Sequence, residues 1–198
     1  MPMRTGSRVA LGIVSALVAV SAWIVWSQAG GGAPVSAADL LDSLEQAERR
    51  PGAAPFDVGP VTINGESIRA VATPGASRIT WELRLPDRAA LEVAVALKPE
   101  AWNVEGDGVL FRVGIAEGRT HEDLVTRLVN PFGQPEDRRW IRLAIDLNRY
   151  SGFKWSLFYH PRRMLWRIVF NTNTGNPGST DSRGDMPLWG EPRLLGNR

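Results

Sequence analysis

The chain has 198 residues, of which 43% are hydrophobic and none is cysteine. The lack of cysteine excludes disulfides, thiol catalysis, cysteine-ligated zinc and iron–sulfur clusters, so packing must hold the fold together. The 23 basic and 21 acidic residues leave a formal net charge of +2, which is too small to indicate the concentrated basic stripe of a nucleic-acid-binding protein. We therefore predict a globular domain of ordinary size that does not bind nucleic acid.

The N-terminal segment is apolar and uncharged from Val9 to Trp26 and follows Arg4 and Arg8. A helix needs roughly 20 mostly apolar residues to span a bilayer, and basic residues before it favour a cytoplasmic N-terminus. We predict that residues 1–29 hold a cytoplasmic N-terminus and a transmembrane signal-anchor at the cell membrane, with the C-terminal domain extracytoplasmic. The alternative is a cleaved secretory signal, for which Ser27–Ala29 offers a small-x-small site. Both alternatives export the domain.

Residues 30–55 are expected to form a spacer and a short amphipathic helix. Ser36 is placed to cap a helix that runs to about Arg50, before Pro51 ends it. One face of this helix is apolar and is expected to dock on the domain or to pair with a membrane neighbour. The apolar face consists of Leu40, Leu41, Leu44 and Ala47.

Residues 56–198 alternate between apolar and polar side chains, which is typical of half-buried strands. The four clearest runs are Ile79–Leu85, Leu91–Leu97, Val109–Ile115 and Ile141–Leu147. Turn-forming residues separate the runs. Short strands at this spacing predict an all-β, antiparallel sandwich or barrel, here preceded by one transmembrane helix and a short amphipathic helix.

A β-hairpin is predicted from Trp155–His160 and Met164–Phe170, with its turn at residues 161–163. Pairing Tyr159 with Met164 puts the aromatic side chains of both strands on one face. We interpret that face as buried core rather than as a platform on which sugars stack. This interpretation depends on the register, because a slip of one residue exchanges the two faces.

The opposite face of these strands combines aromatic, basic and small side chains. Aromatic rings pack on the apolar side of a pyranose, and arginines donate to hydroxyls or to acidic substituents. The alternative is an outer sheet face that the amphipathic helix or another subunit covers. The candidate ligand-binding residues on this face are Trp140, Arg142, Phe158, His160, Arg167 and Arg112.

No catalytic constellation is present in the sequence. The histidines are His121 and His160, and there is no nucleophile elbow, two-histidine zinc helix or glycine-rich phosphate loop. Glu82, Glu92 and Asp146 offer carboxylates for a glycosidase pair, but carboxylates on alternate strand positions are typical of solvated faces. We predict a non-catalytic protein with no cofactor, and we leave its metal content open.

Four runs between Gly106 and Leu195 carry a family resemblance: GDGVLFRVGI, RRWIRLAIDLNRYSGFKWSLFY, WRIVFNTNTG and DMPLWGEPRLL. They resemble the galactose-binding-like jelly-roll modules of bacterial surface and carbohydrate-active proteins, including the NPCBM-like carbohydrate-binding domains. The matching positions, such as Tyr150 and Trp189-Gly190, mark turns and core aromatics. The resemblance implies a jelly-roll β-sandwich that binds a ligand, often a glycan, as an accessory beside an enzyme.

Some of these jelly rolls hold a structural calcium near the terminal strand. Asp185 and Glu191 lie near the corresponding strand in this sequence, but they do not complete a ligand set.

Two functions are consistent with these patterns. In the first, a membrane-anchored extracytoplasmic β-sandwich binds carbohydrate, such as a polysaccharide, or another cell-envelope ligand. In the second, the chain is a structural partner subunit of a membrane or envelope protein complex. An open groove at the candidate face favours the first function. A Trp140–Arg142–Phe158 patch that a neighbouring protein buries favours the second.

Overall fold

The structure is a computed structural model that describes residues 35–151, 165–176 and 178–197. The predicted transmembrane segment lies outside these residues, as do residues 155–160 of the predicted hairpin and with them the candidates Phe158 and His160. None of the helices in the described part of the chain has the length and apolar content that crossing a membrane requires.

The described residues form strands, joined by turns and three short 3₁₀ helices. In chain order the strands are β1 (Val35–Asp39), β2 (Glu48–Arg50), β3 (Asp57–Ile63), β4 (Glu66–Ala72), β5 (Ser77–Leu83), β6 (Asp87–Leu97), β7 (Val109–Glu117), β8 (Thr120–Val129), β9 (Ile141–Asp146), β10 (Trp166–Thr174) and β11 (Pro187–Asn197). The 3₁₀ helices are Leu40–Gln46, Pro99–Ala101 and Pro135–Asp137.

The strands build two antiparallel sheets. The six-stranded sheet has the order β3-β4-β11-β6-β9, with β1 also paired to β11, and the five-stranded sheet has the order β2-β5-β10-β7-β8. The four alternating runs of the sequence lie in β5, β6, β7 and β9. The prediction of an all-β antiparallel sandwich is therefore confirmed.

The main core lies between the sheets and centres on Trp189, which is fully buried. Its ring centroid is 4.9 Å from that of Phe111 and 4.5 Å from that of Phe170. Phe170 in turn meets Trp81 edge-to-face at 5.0 Å. Because aromatic side chains bury large areas and prefer such tilted arrangements, these four rings bring strands of both sheets into one core.

The predicted helix from Ser36 to Arg50 is wrong. Residues 35–39 form β1 and residues 48–50 form β2, which leaves only the 3₁₀ helix Leu40–Gln46 between them. Asp39 caps this helix, since its carboxylate accepts the N–H of Leu41 at 2.9 Å. Pairing with β11 and β5 satisfies the backbone of both flanks and so overrides the local helical pattern.

The apolar face of this segment is nevertheless buried. Leu40, Leu41, Leu44 and Ala47 all join the main core. The indole N–H of Trp81 donates to the Leu40 carbonyl at 3.0 Å, which fixes the segment against β5. This face therefore docks on the domain, which is one of its two expected roles.

The predicted hairpin partner of β10 is also wrong. β10 lies between β5 and β7, with Trp166 opposite Leu83 and Ile168 opposite both Trp81 and Ile115. Both hydrogen-bonding edges of β10 are thus occupied by strands that are distant in sequence. The predicted inward orientation of Trp166 and Ile168 is confirmed, because both are buried.

Candidate functional site

The structure separates the predicted site residues instead of bringing them together. Arg142 lies on β9 and Trp140 just before it, both on the outside of the six-stranded sheet, whereas Arg112 on β7 and Arg167 on β10 lie on the outside of the five-stranded sheet. Outward-facing positions on strands of different sheets point away from each other across the sandwich. The single face predicted from alternation is therefore wrong.

Trp140 is not an exposed platform, since only 6% of its surface is accessible. It belongs to a second apolar cluster on the outside of the six-stranded sheet, together with Ile63, Ile68, Ala70, Ala94, Ala96 and Leu188. A Cβ added to Gly190 would lie 3.1 Å from Cζ3 of Trp140 and 2.5 Å from Cδ1 of Ile68. The glycine of the Trp-Gly motif thus lets both side chains pack directly on the sheet backbone.

The exposed Arg142 beside this cluster is held by an ion pair with Glu66. Trp140 is therefore covered by other side chains of the chain itself, whereas Arg142 beside it is exposed.

The outside of the five-stranded sheet does contain an open groove, with a volume of about 230 Å³. Its lining consists of Glu48, Arg50, Arg78, Thr80, Ala116, Arg119, Thr120, His121, Arg167 and Val169. Of the predicted residues, Arg167 lines it directly, and Arg112 lies on the same sheet face.

The strand register explains the shape of this groove. One cross-strand row runs through Thr80, Val169 and Gly114 on β5, β10 and β7. The short side chains of Thr80 and Val169 form the floor of a trough, whereas the imidazole of His121 lies over Gly114, where an added Cβ would be 2.6 Å from Cε1 of His121. On one side of the trough, the next row holds Arg50 opposite Arg78. That row continues through Asn171 to Arg112.

The other side of the trough is formed by the row of Arg167 and Ala116, which pairs on with His121. Arg119 stands beside this row in the β7–β8 turn. Arginines therefore border the trough on both sides. The sequence shows the outward positions of Arg78, Arg119 and Arg167, but only the sheet order brings them around one groove.

Charges in the groove are only partly balanced. Arg50 forms an ion pair with Glu48 at 2.6 Å, and His121 Nε2 lies 2.9 Å from Asp123 Oδ1. Arg167 donates to the backbone carbonyl of Gly118 and lies opposite Glu82 in the strand register. Within the described residues, the guanidinium groups of Arg78 and Arg119 form neither a hydrogen bond nor an ion pair. Four arginines and a single carboxylate line the groove, so its field favours anions.

Arg112, on the same sheet face, also forms no ion pair within the described residues. It is half-buried, and its Nε is shielded from solvent without a hydrogen-bond partner among the described residues. A shielded donor without an acceptor is energetically costly. A ligand oxygen at this position would relieve that cost.

The carboxylates considered for glycoside hydrolysis are divided between the two sheets. Glu82 lies on the five-stranded sheet, next to Arg167 in the register. Glu92 and Asp146 lie on β6 and β9 of the six-stranded sheet. All three are exposed. Glu82 is therefore separated from the other two by the sandwich and does not pair with them.

The residues placed near a calcium site by the resemblance do not converge. Glu191 forms an ion pair with Arg193 at 3.1 Å. Burial, together with the charges of Asp107 and Asp181, raises the pKa of Asp185 to about 6. Across the described ranges, no group of three His, Asp or Glu side chains is arranged to hold a metal ion.

The tyrosine of the motif, Tyr150, has a structural role. The ring of Tyr150 packs edge-to-face on Trp166 at 5.2 Å. Its hydroxyl donates to Glu122 at 2.6 Å and, with Arg149, holds the pKa of Glu122 below its usual range. These contacts join the β9–β10 connection to the edge strand β8, away from the groove.

The fold and the groove together define a β-sandwich with an open groove bordered by arginines. No family model matches the chain. An uncharacterized protein of Archaeoglobus fulgidus is 36% identical to it over 114 residues, which are 57% of this chain and 25% of that protein. The matched region thus spans a quarter of the length of this relative.

Several solved structures are similar to the chain. The CBM51-2 and INT domains of Clostridium perfringens ZmpB have a TM-score of 0.48 and 14% identity, covering 76% of this chain and 29% of that one. The CBM51 of Clostridium perfringens GH95, in complex with methyl-galactose, has a TM-score of 0.45 and 15% identity, covering 82% and 99%. TmCBM61, in complex with β-1,4-galactotriose, has a TM-score of 0.40 and 12% identity, covering 75% and 85%.

The antiparallel two-sheet architecture of this chain agrees with the jelly-roll sandwich that the resemblance implied.

Proposed function

We propose that the chain is a non-catalytic carbohydrate-binding module that takes its ligand in the groove across the five-stranded sheet. The observation that carries this proposal is the trough floored by Thr80 and Val169 between two rows that hold arginines. A planar guanidinium donates in a fork to hydroxyl or carboxylate oxygens, and Arg78 and Arg119 have this capacity unused within the described residues.

The size of the groove fits a short stretch of an extended saccharide. Its volume of about 230 Å³ is below the roughly 300–1,000 Å³ typical of sites that enclose a small molecule. The trough is open along the sheet face, and the hydroxyls of Thr80 and Thr120 add donors and acceptors to its lining. A polymer lying across the strands would therefore contact both arginine rows at once.

The polar groups of the groove support binding rather than hydrolysis. Glycoside hydrolysis uses two carboxyl groups that flank the scissile bond. The one acidic side chain in the described lining is Glu48, which already pairs with Arg50. The imidazole of His121 is engaged with Asp123.

Binding by the full-length chain in detergent is expected to depend on Arg78 and Arg119. We would first identify a bound polysaccharide by affinity electrophoresis on neutral and acidic polymers, and then measure affinities by calorimetry. Each of Arg78→Ala and Arg119→Ala is expected to weaken binding about tenfold, and the double variant about 100-fold, because each removes charge-assisted hydrogen bonds. The matched control is Arg142→Ala on the opposite sheet, which should bind as tightly as the parent.

Equal binding by the parent and the double variant would contradict a site in this groove. An envelope protein that copurifies with the parent but not with the double variant would instead assign the groove to a subunit interface.

We also propose that Val9–Trp26 anchors this module in the cell membrane with the sandwich outside. The support is the length of the apolar run and the preceding Arg4 and Arg8. An anchored chain stays in the membrane fraction at full length after an alkaline carbonate wash. Release of a chain shortened near Ala29 would show a cleaved signal instead.

A further inference from the structure

We infer that the saccharide bound in the groove is acidic, a polysaccharide that carries carboxylate or sulfate groups. This inference rests on the proposed function and names the chemical class of its ligand. Three features of the groove support it: the arginines that border it, the lack of an aromatic ring among its described lining residues, and its extent along the sheet.

The first argument is a like-charge pair that the fold does not neutralise. Arg50 and Arg78 occupy directly opposite positions on β2 and β5, an arrangement that is unfavourable for two cations. Glu48 neutralises Arg50, but Arg78 has no acidic partner in the described structure. An anion bound between the rows would relieve this repulsion.

The second argument is the unsatisfied guanidinium of Arg112. It lies in the same cross-strand row as Arg78, separated from it by Asn171. Its Nε is shielded and has no acceptor among the described residues. Arg112 extends the row of Arg78 beyond the residues that line the groove. Because Arg167 and Arg119 stand across the trough, a polyanion lying along the groove would meet cations on both sides.

A neutral sugar would find no aromatic stacking surface among the described lining residues of the groove. No Trp, Tyr or Phe is among the described residues that line the groove, so a pyranose has no aromatic face on which to stack there. Hydroxyl groups alone would exchange hydrogen bonds with water for hydrogen bonds with arginine, at little net gain. A carboxylate or sulfate forms the stronger charge-assisted, bidentate pair.

The same features disfavour a nucleic acid. Single-stranded nucleic acids are held by aromatic platforms for the bases as well as by charge, and the described lining of the groove contains no such platform. The acidic saccharide is therefore the favoured ligand.

The test uses the full-length chain in detergent and polymers that differ only in charge. Polygalacturonate is compared with the same polymer after methyl esterification, and dextran sulfate with dextran. We expect at least about tenfold tighter binding of one or both charged polymers than of the neutral counterpart. That preference should shrink in the Arg78→Gln/Arg119→Gln variant and with rising salt. Arg78→Lys keeps the positive charge but loses the planar, bidentate donor geometry of the guanidinium. This variant should therefore retain part of the preference for charged polymers.

The carboxylate and sulfate arms show which anion is preferred, and a preference for either charged polymer supports the inference. Equal binding of charged and neutral polymers, lost in the Gln/Gln variant, would overturn the acidic ligand and leave the proposed function standing. A single-stranded RNA oligonucleotide bound as tightly as the best polysaccharide would also overturn it. If no saccharide binds to the folded chain, the proposed function itself fails.

Discussion

Replacing Trp140 with alanine is expected to lower the free energy of unfolding by about 3–5 kcal/mol and to leave saccharide binding unchanged. Only 6% of the surface of Trp140 is accessible. Its indole packs against Gly190 and completes the outer apolar cluster. Its removal deletes a large buried surface and leaves a cavity against the sheet. Urea denaturation followed by fluorescence and circular dichroism measures the change.

Trp140→Phe is the matched control, because it keeps an aromatic ring in the cluster and should recover much of the stability. Its smaller effect is also expected because the indole N–H of Trp140 has no hydrogen-bond partner in the described structure to lose. If Trp140→Ala abolished saccharide binding but kept the stability of the parent, Trp140 would be part of the ligand site instead.

Replacing Asp137 with alanine is expected to destabilise the protein by about 2–4 kcal/mol. Asp137 is 2% exposed, and its carboxylate accepts from Arg127 Nη2 at 2.6 Å and from the Asn130 N–H at 3.0 Å. The change leaves a backbone donor and a guanidinium without their acceptor. The partial exposure of Arg127, at 41% of its side chain, keeps the effect below that of a fully buried pair.

The control for this prediction is Glu66→Ala, which removes a carboxylate from the exposed ion pair with Arg142. Exposed pairs contribute about 0–1 kcal/mol, so this variant should unfold close to the parent. Thermal and urea unfolding of the two variants would be compared at the same pH. Similar losses for Asp137→Ala and Glu66→Ala would show that burial of Asp137 does not govern the stability of this loop.

The period-two pattern was sufficient to predict the strands and their buried faces. Ile79, Trp81, Leu91 and Val113, for example, all face the core, because the orientation of a side chain on a strand depends only on its neighbours in sequence. The same pattern placed Trp140 on an outward face, where it lies. That this face is covered depends on Ile63, Ile68 and Leu188, which come from other strands.

The errors at residues 36–50 and at the predicted hairpin have the same origin. The leucine spacing around Leu40 suits a helix, but the strands on both sides of it pair with β11 and β5. β10 likewise pairs with β5 and β7 rather than with residues next to it. Local spacing indicates which conformation a segment favours in isolation, and sheet pairing with distant segments overrides that preference.

The sequence by itself determined a cysteine-free, all-β sandwich with its buried positions, because alternation and turn residues act within a few residues of the chain. It also identified Arg112 and Arg167 as outward-facing cations. Only the tertiary structure decided that they share a face with Arg78, separate from Trp140 and Arg142. The reason is that the rows of the groove join β2, β5, β10 and β7, and the pairing of strands that distant depends on how the whole core packs.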